Sequence, residues 1–128
     1  MHPNEARVRN AMEAMLRGDV EPMRSMSDPK MVWHISGQGP FSGDLNGFDA
    51  VMAWGGRLFE QSGKTWKEDI LEVAANDDSA FMRTTYRGAR SGRSIEDQSV
   101  NVFRLRGGQI VECWVYFGKQ REFDNFWS

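Results

Sequence analysis

Two long runs of strand-forming residues flank the Gly107-Gly108 pair in the segment from Ile95 to Phe117, and this segment constrains the fold most. A glycine pair between alternating apolar residues predicts a tight turn that joins two antiparallel strands. Because successive side chains of a strand point to opposite faces, the alternation also indicates which residues share a face. On the second strand one face carries the apolar set Val111, Cys113, Val115 and Phe117.

The first of these strands places polar residues on a face that is otherwise apolar. Asp97, Ser99 and Asn101 alternate in step with Phe103 and Leu105, so we expect all five to point into one interior. Burying a carboxylate or an amide without a partner costs free energy, which makes such residues indicators of a ligand site. We therefore predict that Asp97 transfers protons and that Asn101 donates a hydrogen bond to a substrate oxygen. The alternatives are that Asp97 pairs with an arginine at the rim and that Asn101 finds partners within the protein.

Helical patterns precede the strands along the chain. Apolar spacing predicts a helix from an Asn4 cap to Gly18 and a short second helix after Asp19. A third helix is predicted from Phe48 to Gln61, although Gly55-Gly56 in its middle costs roughly 1 kcal/mol per glycine relative to alanine. That cost indicates close approach of the helix to a sheet or a ligand at this point.

Five strands are predicted from alternation and bounding turns, and they cover Met31 to Ser36, Trp66 to Ala75, Ala80 to Arg87, Ser94 to Arg106 and Gln109 to Gly118. The glycine-rich loop from Gly37 to Gly47 has a possible edge strand at Phe41-Ser42, and the aromatic tail from Glu122 to Trp127 is expected to dock on the body. Helices followed by an antiparallel meander predict one α+β domain over residues 1–128, with helices packed on one face of a curved sheet.

Composition excludes several classes of partner. The formal net charge is -2, from 16 basic and 18 acidic residues without runs of one sign, which argues against nucleic acid and anionic membranes. The single cysteine, Cys113, and the lack of signal-peptide or membrane-spanning patterns lead us to expect a cytoplasmic protein. No paired histidine or cysteine spacing and no phosphate-binding loop occur, so we expect neither a metal nor a cofactor.

Short motifs along almost the whole chain point to a known family: Gly18-Asp19, Val32-Trp33-His34, Gly47-Phe48-Asp49-Ala50, Ala75-Asn76-Asp77, Val102-Phe103-Arg104-Leu105, Ile110-Val111-Glu112 and Phe123-Asp124-Asn125-Phe126-Trp127. With the order of elements, they resemble the nuclear transport factor 2-like superfamily and its SnoaL-like group, which is related to polyketide cyclases and ketosteroid isomerases. The resemblance implies a cone-shaped fold whose pocket often holds a small hydrophobic molecule, and usually a homodimer formed through the sheet.

The resemblance also allows the isomerase residues to be carried over by position. The tyrosine of that family falls at Ala11, the aspartate base at about Ile35, and the protonated aspartic acid at Asn101. Because two of the three groups are missing or altered, ordinary ketosteroid isomerisation is not expected for this chain.

His34 is a second candidate for moving a proton, since imidazole titrates near neutral pH. Alternation places it opposite the apolar residues Trp33 and Ile35, however, unless the strand is bulged.

Trp114 and Tyr116 fall on the outer face of their strand, where exposed aromatic residues predict a homodimer across the sheet. The remaining predicted ligand contacts share the pocket face, and they are Trp33, Met82, Tyr86, Ser99, Phe103, Cys113 and Phe117.

Together these patterns predict a protein with a pocket for an apolar carbonyl compound, acting as a cofactor-free isomerase or cyclase by acid-base chemistry. The alternative is a ligand-binding or dimeric interaction domain of the same fold without catalysis. Polar side chains in the pocket could serve catalysis or ligand binding alone, so the sequence leaves both functions open.

Overall fold

The computed structural model of this chain describes residues 2–128, which form four helices and six strands: α1 (Pro3–Leu16), α2 (Glu21–Met26), β1 (Ser27–Ile35), β2 (Gly43–Asn46), α3 (Phe48–Gln61), β3 (Lys67–Ala75), β4 (Ser79–Arg90), β5 (Arg93–Arg106), β6 (Gln109–Phe117) and α4 (Gln120–Phe126). None of these helices is both long enough and apolar enough to span a membrane.

The six strands form one sheet in the order β2-β1-β6-β5-β4-β3. Only β1 and β6 pair in parallel, and all other neighbours are antiparallel. The predicted α+β class, with N-terminal helices packed on a curved, mostly antiparallel sheet, is confirmed. The Gly107-Gly108 turn joins β5 to β6 as predicted, and both glycines have positive φ, at 57° and 79°.

The core lies between the helices and the inner face of the sheet. Val8 of α1, Leu58 of α3, and Met82 and Phe103 of the sheet are almost fully buried and belong to one cluster. The period-two alternation of β5 is followed throughout, since the positions from Ile95 to Leu105 alternate between this face and the outer one. The sequence pattern therefore describes this strand correctly.

The aromatic tail docks on the body, as predicted, and forms the helix α4. Phe123 stacks on Phe117 with ring centroids 3.7 Å apart, and Trp127 lies 4.4 Å from the ring of Phe41. These contacts cover one end of the core. The backbone N–H of Ser42 donates to the oxygen of Gly39 at 3.1 Å and closes a turn at Phe41, so the edge strand forms later than predicted, over Gly43–Asn46.

Two other predictions about local structure need correction. The first strand begins at Ser27 rather than Met31, because pairing with Ile110 of β6 extends it towards α2. The cap of α1 is His2, whose Nδ1 accepts the backbone N–H of Asn4 at 3.0 Å. The side chain of Asn4 instead donates to the backbone oxygen of Asn76 at 3.1 Å, which ties the helix to the β3–β4 turn.

Candidate functional site

A cavity of about 670 Å³ lies between α1, α3 and the inner face of the sheet. Its volume is within the range of roughly 300–1,000 Å³ that is typical of small-molecule sites. Large apolar side chains form most of the wall, among them Met12, Val51 and Leu58 from the helices and Trp33, Val115 and Phe117 from the sheet. The cavity is therefore suited to an apolar ligand.

Asn101 is the most unusual residue of this wall. It is only 5 % exposed, and no hydrogen bond joins its side chain to any other residue in the range 2–128. Its Oδ1 atom is enclosed without a partner, because the cross-strand neighbours are Met82 and Val115. A buried polar group left in this state costs about 1–3 kcal/mol. The fold thus holds an unpaired amide in the wall of an apolar cavity.

Trp33 brings a second unpaired polar group to the same wall. Its indole Nε1–H has no acceptor among residues 2–128, and the side chain is 4 % exposed. The ring packs edge-on against Phe103, with centroids 6.0 Å apart, which fixes its orientation in the sheet. Buried indole N–H groups usually have a hydrogen-bond partner, so this one adds to the polar capacity of the cavity.

Glu68 of β3 also lines the cavity, and sequence reasoning did not select it. One carboxyl oxygen accepts the indole N–H of Trp66 at 3.1 Å, which is the only hydrogen bond of this carboxyl group within residues 2–128. Burial raises the pKa of Glu68, while the hydrogen bond from Trp66 lowers it by less. The sequence does carry a signal for Glu68. It shares a strand face with Trp66 and Ile70, so a carboxylate lies on an otherwise apolar face.

Asp97 lies outside the cavity wall and is engaged by other residues. Its Oδ2 atom accepts the hydroxyl of Tyr86 at 2.6 Å and the backbone N–H of Lys119 at 2.8 Å. Burial, this hydrogen bond and the carboxylate charge raise the pKa of Tyr86, so its hydroxyl remains a donor. The partner of Asp97 is therefore a tyrosine, where the sequence offered either a ligand or an arginine.

His34 lies on the outer face of the sheet, away from the cavity, which corrects its placement as a pocket residue. The β1 irregularity is between Ser27 and Val32, so the alternation runs unbroken through His34. Its Nδ1 is 2.7 Å from Asp44 and its Nε2 is 2.6 Å from Glu112. Hydrogen bonds to these two carboxylates raise the pKa of His34, although desolvation opposes them.

The structure brings together four of the ten predicted site residues. Trp33, Ser99, Asn101 and Phe117 line the cavity, and the hydroxyl of Ser99 is already paired with that of Thr84 at 2.6 Å. The other six do not line the cavity: Asp97, His34, Met82, Tyr86, Phe103 and Cys113.

Gly55 of α3 also lines the cavity, and its environment is informative. A Cβ atom built there would meet no atom within 4 Å, and the same is true of Gly56, which is outside the cavity wall. The predicted close approach of a sheet to this glycine pair is therefore wrong. Open space lies above Gly55 instead.

Within residues 2–128, no cluster of three or more His, Cys, Asp or Glu side chains is arranged to hold a metal ion. Burial raises the pKa of the Cys113 thiol well above its ordinary value, which disfavours the thiolate that metal binding or nucleophilic attack requires.

Residues 8–113 match the family model described as a SnoaL-like domain. Similar solved structures include Bal32a from a soil-derived mobile gene cassette, with 26% identity, a TM-score of 0.89, and coverage of 98% of this chain and 96% of that one. An NTF2-like protein from Burkholderia pseudomallei has 21% identity and a TM-score of 0.80, covering 100% and 99% of the two chains.

A third similar structure is IdmH from Streptomyces antibioticus, a proposed polyketide cyclase, with 20% identity, a TM-score of 0.71, and coverage of 92% and 94%. No curated protein matches this chain. The likenesses confirm the nuclear transport factor 2-like fold that the sequence motifs indicated.

Proposed function

Because the chain belongs to the SnoaL-like domain family, we propose that it binds an apolar carbonyl compound in its cavity and acts on it by cofactor-free isomerase- or cyclase-type chemistry. The observation that carries this proposal is the unpaired amide of Asn101 in the wall of a cavity of about 670 Å³. Such an amide offers a ligand a hydrogen bond that no residue in the range 2–128 makes.

Asn101 holds a carbonyl oxygen of the ligand in this proposal. An amide carries both donors and acceptors, and rotation about its last bond exchanges the two ends. A carbonyl oxygen of the ligand accepts from the NH₂ group, and this hydrogen bond contributes to binding. The apolar wall around it contributes the rest by burying the ligand's hydrocarbon surface.

The glycine pair of α3 provides a test with a matched control. Gly55→Leu places a side chain into the cavity, whereas Gly56→Leu places the same side chain outside it, and neither Cβ meets an atom within 4 Å. Both changes improve helix propensity, so both variants should fold at least as stably as the wild type. A difference in binding between them therefore reports on the cavity.

The experiment is a thermal-shift screen against tetralone, anthrone and androstenedione, followed by calorimetric titration of any ketone that binds. We expect Gly55→Leu to weaken binding by about tenfold or more, as a loss of 1.4 kcal/mol implies, with Gly56→Leu close to wild type. If none of these ketones bound, or if both variants bound equally well, the proposed site would be refuted.

A passive ligand-binding domain is the second candidate. It is favoured by the engagement of Asp97 with Tyr86 and by the position of His34 on the outer face, since these were the predicted proton-transfer groups. Binding without any proton exchange or turnover of the bound ketones would support this candidate over the enzyme.

We also propose that the outer face of the sheet forms a homodimer. Phe81 and Tyr116 are 48 % and 50 % exposed on this face, and Val100 lies directly opposite Tyr116. Trp114 continues the same apolar surface and is partly covered by the ring of His34, 5.4 Å away. Sedimentation velocity should give a dimer mass for the wild type and a monomer for Tyr116→Lys. A monomeric wild type at micromolar concentration would refute this pairing.

A further inference from the structure

We propose that Glu68 is the general acid-base group of the cavity, and that it acts on an elongated substrate whose second oxygen lies at Asn101. This inference rests on the proposed function and names the group that would carry its chemistry. It replaces Asp97 and His34, neither of which lines the cavity.

The position of Glu68 combines a fixed carboxyl group with a free oxygen. The indole N–H of Trp66 holds one oxygen at 3.1 Å, and Trp66 itself is stacked on Tyr86 with ring centroids 5.0 Å apart. The second oxygen makes no hydrogen bond within residues 2–128, and the residue lines the cavity. A carboxyl group oriented in this way can exchange a proton with a bound molecule.

Titratable and charged groups near Glu68 lie on β3, β4, β5 and α1. Tyr86 of β4 lies opposite it and Asp97 of β5 lies beyond Tyr86, while α1 contributes Glu13 and Arg17 to the same cavity wall. The flanking residues Lys67 and Asp69 also line the cavity. Neither Glu13 nor Arg17 is within hydrogen-bond distance of the Glu68 carboxyl group, so the free oxygen is not neutralised by an ion pair.

Sheet register separates Glu68 from Asn101. Glu68 is opposite Tyr86, and Asn101 is opposite Met82, four residues further along β4 and on its other side. At about 3.4 Å per residue and about 4.8 Å per strand, the two Cα atoms would lie roughly 17 Å apart on a flat sheet. Curvature brings the side chains closer, but they still meet different parts of a ligand. A substrate that uses both residues must therefore be elongated, with oxygen functions at more than one position.

The proposed step is a proton transfer at a carbon next to a carbonyl group. The free oxygen of the Glu68 carboxylate takes the proton, the C–H electron pair enters the enolate, and a carboxylic acid forms. Return of the proton to the same carbon gives exchange, and return to another carbon of the conjugated system gives isomerisation. The step needs neither an oxidant nor a reductant. Burial raises the pKa of Glu68 and so makes the carboxylate a stronger base.

The test measures deuterium exchange at the carbons next to the carbonyl groups of androstenedione, which carries one carbonyl at each end, by NMR in D₂O. The variants are Glu68→Gln, which keeps the shape but cannot take the proton, and Asn101→Leu. Glu72→Gln is the matched control, since Glu72 lies on the same strand, is exposed and pairs with Arg83.

We expect Glu68→Gln to lower the exchange rate of the bound ketone by roughly 10²–10⁴-fold with little change in Kd. Asn101→Leu should instead raise Kd and leave the rate of the bound ketone nearly unchanged, and Glu72→Gln should match the wild type in both. The wild-type rate should rise with pH through a midpoint above the ordinary carboxyl pKa of 4.5, and Glu68→Gln should lack that midpoint.

The outcomes separate the two proposals. If the ketone bound but Glu68→Gln exchanged it as fast as the wild type, Glu68 would be excluded while the binding site stood. If the wild type bound the ketone without accelerating its exchange, catalysis by Glu68 would likewise be refuted. If neither this ketone nor the others bound at all, the proposed function itself would fail.

Discussion

Replacing Asn101 with leucine should stabilise this protein, which is the reverse of what a polar-to-apolar change does at a satisfied site. Asn101 is 5 % exposed, and its Oδ1 has no partner among residues 2–128. Leucine has the same branched skeleton of four side-chain heavy atoms and removes the unsatisfied oxygen, which is a gain of about 1–3 kcal/mol. For 128 residues, an unfolding entropy of about 2.1 cal/mol/K per residue gives roughly 0.27 kcal/mol/K, so Tm should rise by about 4–11 °C.

The control is Asn4→Leu, because Asn4 is a buried asparagine whose amide is satisfied. It is 7 % exposed and donates to the backbone oxygens of Asn76 at 3.1 Å and Asp77 at 3.3 Å. Leucine there leaves those oxygens without their donor, which should cost about 1–2 kcal/mol. Thermal and urea unfolding of the two variants beside the wild type measure both effects.

We therefore predict that Asn101→Leu raises Tm and that Asn4→Leu lowers it. If Asn101→Leu lowered Tm as Asn4→Leu does, the amide of Asn101 would have to be satisfied in the folded protein. Asn101 would then not be the residue that binds the ligand oxygen.

Three further predictions concern pH and packing. Because the pKa of Glu68 is raised in the folded state, its contribution to stability is present below about pH 4.5 and is lost as pH rises through the folded pKa. Glu68→Gln should therefore be more stable than the wild type at pH 8 and similar to it at pH 4 in urea unfolding, and equal differences at both pH values would contradict this. The raised pKa of His34 also stabilises the folded protein at low pH. His34→Gln should therefore destabilise the protein more at pH 6 than at pH 9, by up to about 1 kcal/mol for each of the lost pairs with Asp44 and Glu112. Gly88→Ala should cost about 1–3 kcal/mol and change the fluorescence of Trp66, because the new Cβ would lie 2.7 Å from that ring. A fully stable Gly88→Ala protein with unchanged fluorescence would refute the contact.

Much of the fold could be predicted from the sequence because local patterns are strong in it. The third helix has the predicted bounds, Phe48–Gln61, since its apolar stripe is continuous and its first residue follows a glycine. The alternation of β5 also held over the whole strand, because one of its faces packs on a single core. Such patterns are properties of one helix or strand, so they can be recognised without knowing which elements pack beside it.

The site was harder to predict because it depends on contacts between elements. Asp97 shares the inner face with Asn101, as predicted, but it is opposite Tyr86, whose hydroxyl reaches it across the strands. No spacing along one strand reveals such a partner. Glu68 was missed for the same reason, since only the packing of α1, α3 and the sheet makes it part of a cavity wall.

The most direct test of the central claim is the response of the Asn101 side-chain amide to a bound ketone, followed by ¹H–¹⁵N NMR during titration with androstenedione. The account predicts that the NH₂ signals of Asn101 move and saturate with the calorimetric Kd, while those of the satisfied Asn4 stay in place. Binding that leaves the Asn101 signals unmoved would contradict the assignment of this amide to the ligand.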